Sequence, residues 1–295
     1  MTKILVLGVT GMLGNAVFRV FSEDTAYEVW GTLRSAAALR HFPERNRNRL
    51  MTGVDVLDHD ALVSVLTKVR PDVVINCIGL IKQLSNANDP LLALPINSML
   101  PHRLANLCSL GQSRLVHFST DCVFSGRDGG YSELDTSDAE DLYGKSKYIG
   151  EIQSQPHAIT LRTSIIGHEL NSSYALVDWF LAQQDSVKGF AKAIFSGLPT
   201  VELARVVKNY VLPRPQLSGV YHVAAQPISK LDLLRLVAEI YQKEIEILPD
   251  ESLMIDRSLD ASRFSEATGY RAPPWSELIN KMHAASAKDE YKNHV

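Results

Sequence analysis

The stretch that most limits what this chain can become is seven residues long. Gly8-Val9-Thr10-Gly11-Met12-Leu13-Gly14 stands between an apolar run, Lys3–Leu7, and an amphipathic stretch, Met12–Phe21. Each glycine answers a separate steric need of a strand turning into a helix. Gly8 permits the tight turn, Gly11 leaves bare backbone where a ligand can approach, and Gly14 lets the helix lie close on the sheet. Such a corner aims unpaired N–H groups and the positive end of a helix dipole at one point, which suits an anion.

The alternation begun there continues. Strands are expected at Lys3–Leu7, Glu28–Leu33, Val73–Asn76, Arg114–Ser119 and Ile159–Thr163, and helices at Met12–Phe21, Asp60–Val69, Ile96–Leu110 and Leu142–Gln153. Runs such as Val73-Val74-Ile75 are apolar on both faces, as strands covered by helices on both sides must be. The pattern predicts an α/β fold, a doubly wound parallel sheet of the Rossmann kind. After Gly167 the rhythm changes: helices are expected at Tyr174–Gln184, Val201–Val211 and Lys230–Lys243, a strand at Gly219–Val223, and a helical tail from Ala261 to Ser286 broken at Pro273-Pro274. The second half is therefore assigned a smaller substrate-binding lobe. The nucleotide-binding domain takes residues 1–165 plus about 197–225, and the lobe about 166–196 plus 226–295. Arg127–Glu140, rich in Asp, Glu, Ser and Gly, reads as an exposed loop.

A net charge of −3 gives no reason to expect nucleic acid or a membrane surface as partner. The opening apolar run is too short to cross a bilayer and has no signal-peptide cleavage pattern, so a cytoplasmic protein is expected. Cys77, Cys108 and Cys122 form no CxxC pair, and the nine histidines include no HExxH, so no disulfide framework and no metal is expected.

The spacing GxxGxxG resembles the fingerprint of the short-chain dehydrogenases, which implies a nicotinamide dinucleotide over Gly8, Thr10, Gly11, Met12, Leu13 and Gly14. The end of the second strand should face the adenosine ribose. Gly31-Thr32-Leu33-Arg34-Ser35 has no carboxylate there to bind a 2′-hydroxyl, whereas Arg34 could clamp a 2′-phosphate. NADP(H) is therefore preferred, with NAD(H) possible. In that superfamily an acid at Asp55, followed by Val56, contacts the adenine; Asp55 could equally cap the helix that begins near Asp58. Cys77, Ile78 and Gly79, after Asn76, fall where the chain must pass the cofactor.

Tyr143 and Lys147 are four residues apart in a helical pattern and so share one face. A free tyrosine is a poor proton shuttle near neutrality. An ammonium beside it, and the positive ring of an oxidised nicotinamide, would draw its pKa down. A Tyr-x-x-x-Lys match arises by chance in many helices. Here the glycine turn lies upstream in the expected order, Ser119-Thr120-Asp121 ends a strand between the two motifs, and Asn97 lies on the preceding helix.

Together these motifs resemble the dTDP-4-dehydrorhamnose reductase family, a branch of the extended short-chain dehydrogenases. The likeness runs through Gly8–Gly14, Phe118–Phe124, Tyr143–Glu151, Leu161–Ser164, Gly197–Ala204 and Gly219–Ala224, then Leu259-Asp260 before Trp275. It implies reduction of a 4-keto group on a nucleotide-linked deoxysugar, with Thr120, Tyr143 and Lys147 catalytic. Thr120 would orient the substrate carbonyl, Ser119 being the competing candidate. Ser119, Asn97, Tyr143 and Lys147 would also border the cofactor, and Thr120, Asp121, Cys122, Val123 and Arg257 the sugar nucleotide. Lys188, Lys192 and Arg257 are the cations available for its diphosphate. Departures from the family pattern touch the sugar pocket: Cys122 where an aromatic is common, Ile165-Ile166 where an aromatic pair is, and Ser258 where proline is.

Two other readings use the same motifs. A sugar-nucleotide epimerase or dehydratase would retain its NAD, but dehydratases add an acidic pair after the threonine, and Thr120-Asp121-Cys122 has one acid. A non-catalytic NADP-binding regulatory subunit would not need the intact Tyr143–Lys147 pair. A homodimer is compatible with all three readings.

Overall fold

The structure, a computed structural model, describes residues 1–80, 88–170 and 172–287. Seven strands form its main sheet: β1 (Thr2–Leu7), β2 (Tyr27–Thr32), β3 (Leu50–Met51), β4 (Val73–Asn76), β5 (Arg114–Thr120), β6 (Ala158–Thr163) and, later in the chain, β10 (Gly219–His222). Their order is β10-β6-β5-β4-β1-β2-β3, and every pairing is parallel. The order reverses between β1 and β4, which opens a crevice at the strands' C-terminal ends. The Rossmann expectation holds.

The sheet is parallel because its strands are apolar on both faces and helices cover both. Ile4 and Val6 point into one core with Phe18, Phe21 and Val206, while Leu5 and Leu7 point into the other with Leu62, Leu104 and Leu115. Each of these large side chains contributes about 1.5–3 kcal/mol by leaving water.

Five further strands belong to the second half and were not anticipated. β8 (Ser186–Phe195) pairs in parallel with β12 (Glu246–Asp256) and antiparallel with β11 (Ile228–Ser229), making a three-stranded sheet. With β7 (Ile165–Ile166) and β9 (Leu198–Pro199), which pair with each other, these make twelve strands among the described residues. β8 hides because its Ala and Lys residues read as helix formers, and β12 because Pro249 and an acidic turn interrupt it; its register slips between Asp250 and Met254. Val187, Phe195, Phe180, Leu233, Leu234, Val237, Ile279 and Met282 form a separate core under this sheet.

Several boundaries moved for local reasons. The helix expected to reach Gln153 stops at Ile149, because Gly150 sits against the carbonyl of Asn97. The helix expected at Ile96–Leu110 begins at Pro90 and passes through a wide turn at Leu94–Met99, where the Leu100 N–H bonds the Pro95 carbonyl five residues back. Pro101 has no N–H to offer Asn97, so an ordinary α-turn there would lack a bond. The expected exposed loop is pinned midway: Tyr131 is buried and stacks on Phe124 with ring centroids 4.2 Å apart. Among the described residues, no helix is long and apolar enough to cross a membrane.

Candidate active site

Gly8 takes a positive φ of 83° to turn the chain out of β1, and its N–H points to the Thr32 hydroxyl at 3.3 Å. A Cβ on Gly14 would run into the Gly8 carbonyl oxygen. Gly11 is different: the one atom a Cβ there would approach is the Gly8 oxygen at 3.5 Å, so its outer face is open. Gly11 begins the helix Met12–Ser22 with no side-chain cap. Bare backbone over an uncapped helix start fits a dinucleotide's diphosphate. Arg34 is exposed just beyond β2.

Asp58, not Asp55, caps the helix His59–Val69, accepting from the Asp60 and Ala61 N–H groups. Asp55 accepts from the Leu57 N–H at 2.9 Å and leaves its exposed carboxylate at the turn, while Val56 is packed into the core. Ile78 lies against Gly8, and a Cβ on Gly79 would stand 3.8 Å from the Lys147 ammonium nitrogen. Burial raises the Cys77 thiol well above its ordinary pKa, so it is no nucleophile.

The helix Leu142–Ile149 carries the pair. Asp141 caps it, accepting from the Gly144 N–H at 2.7 Å, which fixes where its first turn begins and so where Tyr143 points. A Cβ on Gly144 would strike the Cys122 carbonyl, so only glycine lets this helix sit so close to the end of β5. The Thr120 hydroxyl is close enough to the Tyr143 phenol to pull its pKa down. Thr120 also donates to Asp121 Oδ1 at 3.0 Å and accepts from the Cys122 N–H at 3.1 Å. Lys147, 6% exposed, donates to the Phe118 carbonyl at 2.7 Å.

The electrostatics differ from the expectation. Lys147 was expected to draw the phenol down. Instead burial pushes Tyr143 above its ordinary value, the neighbouring Cys122, Asp121 and Asp141 add to that, and only the Thr120 bond opposes it. Burial weakens Lys147 as well, lowering it to about 8 against the support of Glu151. The phenol therefore holds its proton, which is the form a proton donor needs.

Other expected residues have other duties. Ser119 turns away from Thr120 and donates to Glu151 Oε1 at 2.7 Å, which separates the two candidates for the carbonyl. Asn97 is buried, accepts from the Leu80 N–H at 2.8 Å and donates to the Ser146 hydroxyl at 3.1 Å; it ties the segment after the fourth strand to the helix Leu142–Ile149. Val123, expected beside the substrate, is fully buried with Phe124, Tyr131, Ala224 and Leu259, and its side chain is closed to a ligand. Asp121 is buried, which raises its pKa, while Arg257 and Lys230 pull it down. Arg257 Nε donates to the Phe124 carbonyl at 2.8 Å. Lys188 and Lys192 face Asp250 at 3.4 Å and Glu251 at 2.6 Å across the outer sheet, both largely exposed. Lys230, missed in the sequence because a lysine at a helix start carries no signal, joins Arg257 as a cation near the threonine.

The sequence pattern of the RmlD substrate binding domain matches residues 1–287. The chain belongs to this family. Proteins of differing function resemble this chain. A dTDP-4-dehydrorhamnose reductase of Aggregatibacter actinomycetemcomitans is 23% identical over 308 residues, 96% of this chain and 99% of its own. The methionine adenosyltransferase 2 subunit beta of Danio rerio is 28% identical over 253 residues, covering 81% of this chain and 74% of its own. Among solved structures, dTDP-4-dehydrorhamnose reductase from Bacillus anthracis in complex with NADP superposes with a TM-score of 0.76 at 20% identity, over 97% of this chain and all of that one. The fold is thus the one this reductase structure has.

Proposed function

We propose that this protein is an NADPH-dependent reductase acting on a keto group, at C4, of a nucleotide-linked 6-deoxyhexose. The observation that carries the reading is the cluster at the end of β5: a protonated phenol, a hydroxyl beside it and a buried ammonium one helical turn away. Family membership and the dTDP-4-dehydrorhamnose reductase relative supply the substrate class.

Gly8, Thr10, Gly11, Met12, Leu13 and Gly14 would hold the diphosphate of NADPH and Arg34 its 2′-phosphate, with NAD(H) as the poorer alternative. When bound, the cofactor supplies a hydride. Thr120 and Tyr143 orient the substrate's carbonyl oxygen, and Tyr143 gives up its proton as negative charge develops there. Lys147 stabilises the phenolate that remains. Arg257 and Lys230 face the nucleotide diphosphate, in place of Lys188 and Lys192. In this reading the outer sheet and its core form the substrate lobe, residues about 166–196 and 226–295, and the protein works in the cytoplasm.

Tyr143→Phe should leave NADPH affinity nearly unchanged, measured by fluorescence titration, and lower kcat by roughly 10²–10⁴-fold. Wild-type turnover by that variant would overturn the role of Tyr143. A second reading has one observation in its favour, the likeness to the adenosyltransferase beta subunit. It predicts NADP binding, no turnover of any keto sugar and copurification of a partner.

A further inference from the structure

Three consecutive residues at the end of β5 hold three residues spaced four apart. The Thr120 hydroxyl acts on the Tyr143 phenol, lowering its pKa, the Phe118 carbonyl accepts from Lys147 at 2.7 Å, and the Ser119 hydroxyl donates to Glu151 at 2.7 Å. The first two are the acid–base pair. The third takes no part in the proposed chemistry, yet it is the most completely fixed of the three.

Glu151 sits just past the helix end with its side chain wholly shielded from water. Arg162 of β6 closes on it in a fork, Nε to Oε1 and Nη2 to Oε2, each at 2.7 Å, and its own side chain is 3% exposed. The fork is planar and bidentate, so it fixes direction as well as distance. Arg162 is fixed in turn. Its Nη1 lies 3.2 Å from His222 Nε2, and its guanidinium lies 5.3 Å from the centre of the Phe124 ring. Since guanidinium can only donate, His222 Nε2 accepts, and the His222 proton sits on Nδ1, 3.0 Å from the Tyr131 carbonyl. Burial and Arg162 hold His222 down to about 4, so this end of the chain of bonds stays neutral.

A buried ion pair is a weak source of stability, because taking two charges out of water costs about what their attraction returns. Its clearest attested use is to specify one arrangement. Here the arrangement specified is the register of the catalytic helix on β5. We propose that Glu151 is a positioning residue for the reduction: clamped by Arg162 and Ser119, it locks Tyr143 and Lys147 against the end of β5 and presents the negative charge that faces the Lys147 ammonium. The proposal rests on the reductase reading for its consequence in turnover, though not for the clamp itself.

The charges around Lys147 support this assignment. Glu151 is the neighbour that sustains its protonation against burial. From β5 comes His117, which burial and Lys147 itself hold neutral, with His102 of the preceding helix a further influence on His117. Tyr143 carries its proton. Arg162, on the adjoining strand, is paired with Glu151.

The test compares whole wild-type protein with Glu151→Gln, Glu151→Asp and Ser119→Ala, each checked for folding by circular dichroism and thermal melting. The first readout needs no turnover: NMR titration of the lysine ammonium groups, with the Lys147 signal assigned through Lys147→Arg. In Glu151→Gln the Lys147 midpoint should fall by on the order of one pH unit. Ser119→Ala should move it in the same direction by less, and Glu151→Asp should recover part of the shift. The second readout is the pH profile of kcat on a 4-keto sugar nucleotide with NADPH. Its alkaline limb should move to lower pH in step with the titration, with kcat changed more than KM. A folded Glu151→Gln protein whose Lys147 titrates as in wild type, with kcat lowered equally at every pH, would overturn the proposal. Should Glu151→Gln not fold, an unmoved Lys147 in both Ser119→Ala and Glu151→Asp would overturn it. A wild-type protein that reduces no keto sugar defeats the reductase reading instead, and the titration still decides the role of Glu151.

Discussion

Lys147 shows how one side chain can carry a pH dependence. Burial lowers it to about 8 from the ordinary lysine value of 10.5. Its charge is therefore present below that point and lost as pH rises through it. If the ammonium stabilises a phenolate at Tyr143, kcat should be steady below pH 8 and decline above it, which stopped assays across the range would record. Arg34 makes a separate claim. It is exposed, so replacing it should cost the fold little, and Arg34→Glu should weaken NADPH binding by about tenfold or more while sparing NADH, since a bidentate phosphate contact becomes a repulsion. At this scale the sequence was most legible where chemistry demands a residue type at a spacing: Gly8, Gly11, Gly14, Tyr143 and Lys147. It was least legible where a polar side chain has a choice of partner. Ser119 and Thr120 are adjacent and chemically alike, and only the alternation of β5, which sends them to opposite faces, separates their roles. The direction of the Tyr143 shift was likewise hidden, because burial is a property of the packed chain.

Among the elements, the helix Leu142–Ile149 depends on close approach. Gly144→Ala would place a methyl group against the Cys122 carbonyl, and backbone cannot give way as a flexible side chain can. The substitution should cost about 1–3 kcal/mol in urea denaturation and displace Tyr143 enough to lower kcat beyond that loss. The main strands were legible because β1, β4 and β5 are apolar on both faces, a pattern few other structures satisfy. β8 and β12 were not. They form a small sheet with one wet face, so alternation was the only available signal, and Ala191, Lys192, Pro249 and the acidic turn blurred it.

The whole molecule joins two cores through the helix Trp275–Ala287. Leu278 and Ile279 are neighbours in sequence, yet Leu278 packs beneath the main sheet and Ile279 under the outer one, both fully buried. Leu278→Ala should cost about 2–5 kcal/mol, read by chemical denaturation. The outer sheet should loosen with the main one in a single transition, because one helix serves both. That coupling holds the outer sheet, the proposed substrate lobe, in fixed relation to the β5 end, which carries Thr120 and faces the helix of Tyr143 and Lys147. The claim on which the account turns is that this meeting point reduces a sugar ketone with hydride from outside. It is tested most directly by mixing the purified protein with NADPH and nucleotide-linked 4-keto-6-deoxyhexoses and following the absorbance of the reduced nicotinamide. The account predicts stoichiometric loss of NADPH and appearance of the 4-hydroxy sugar, absent with Tyr143→Phe. Sugar interconversion by protein that carries its own tightly held NAD, with no consumption of added NADPH, would contradict it.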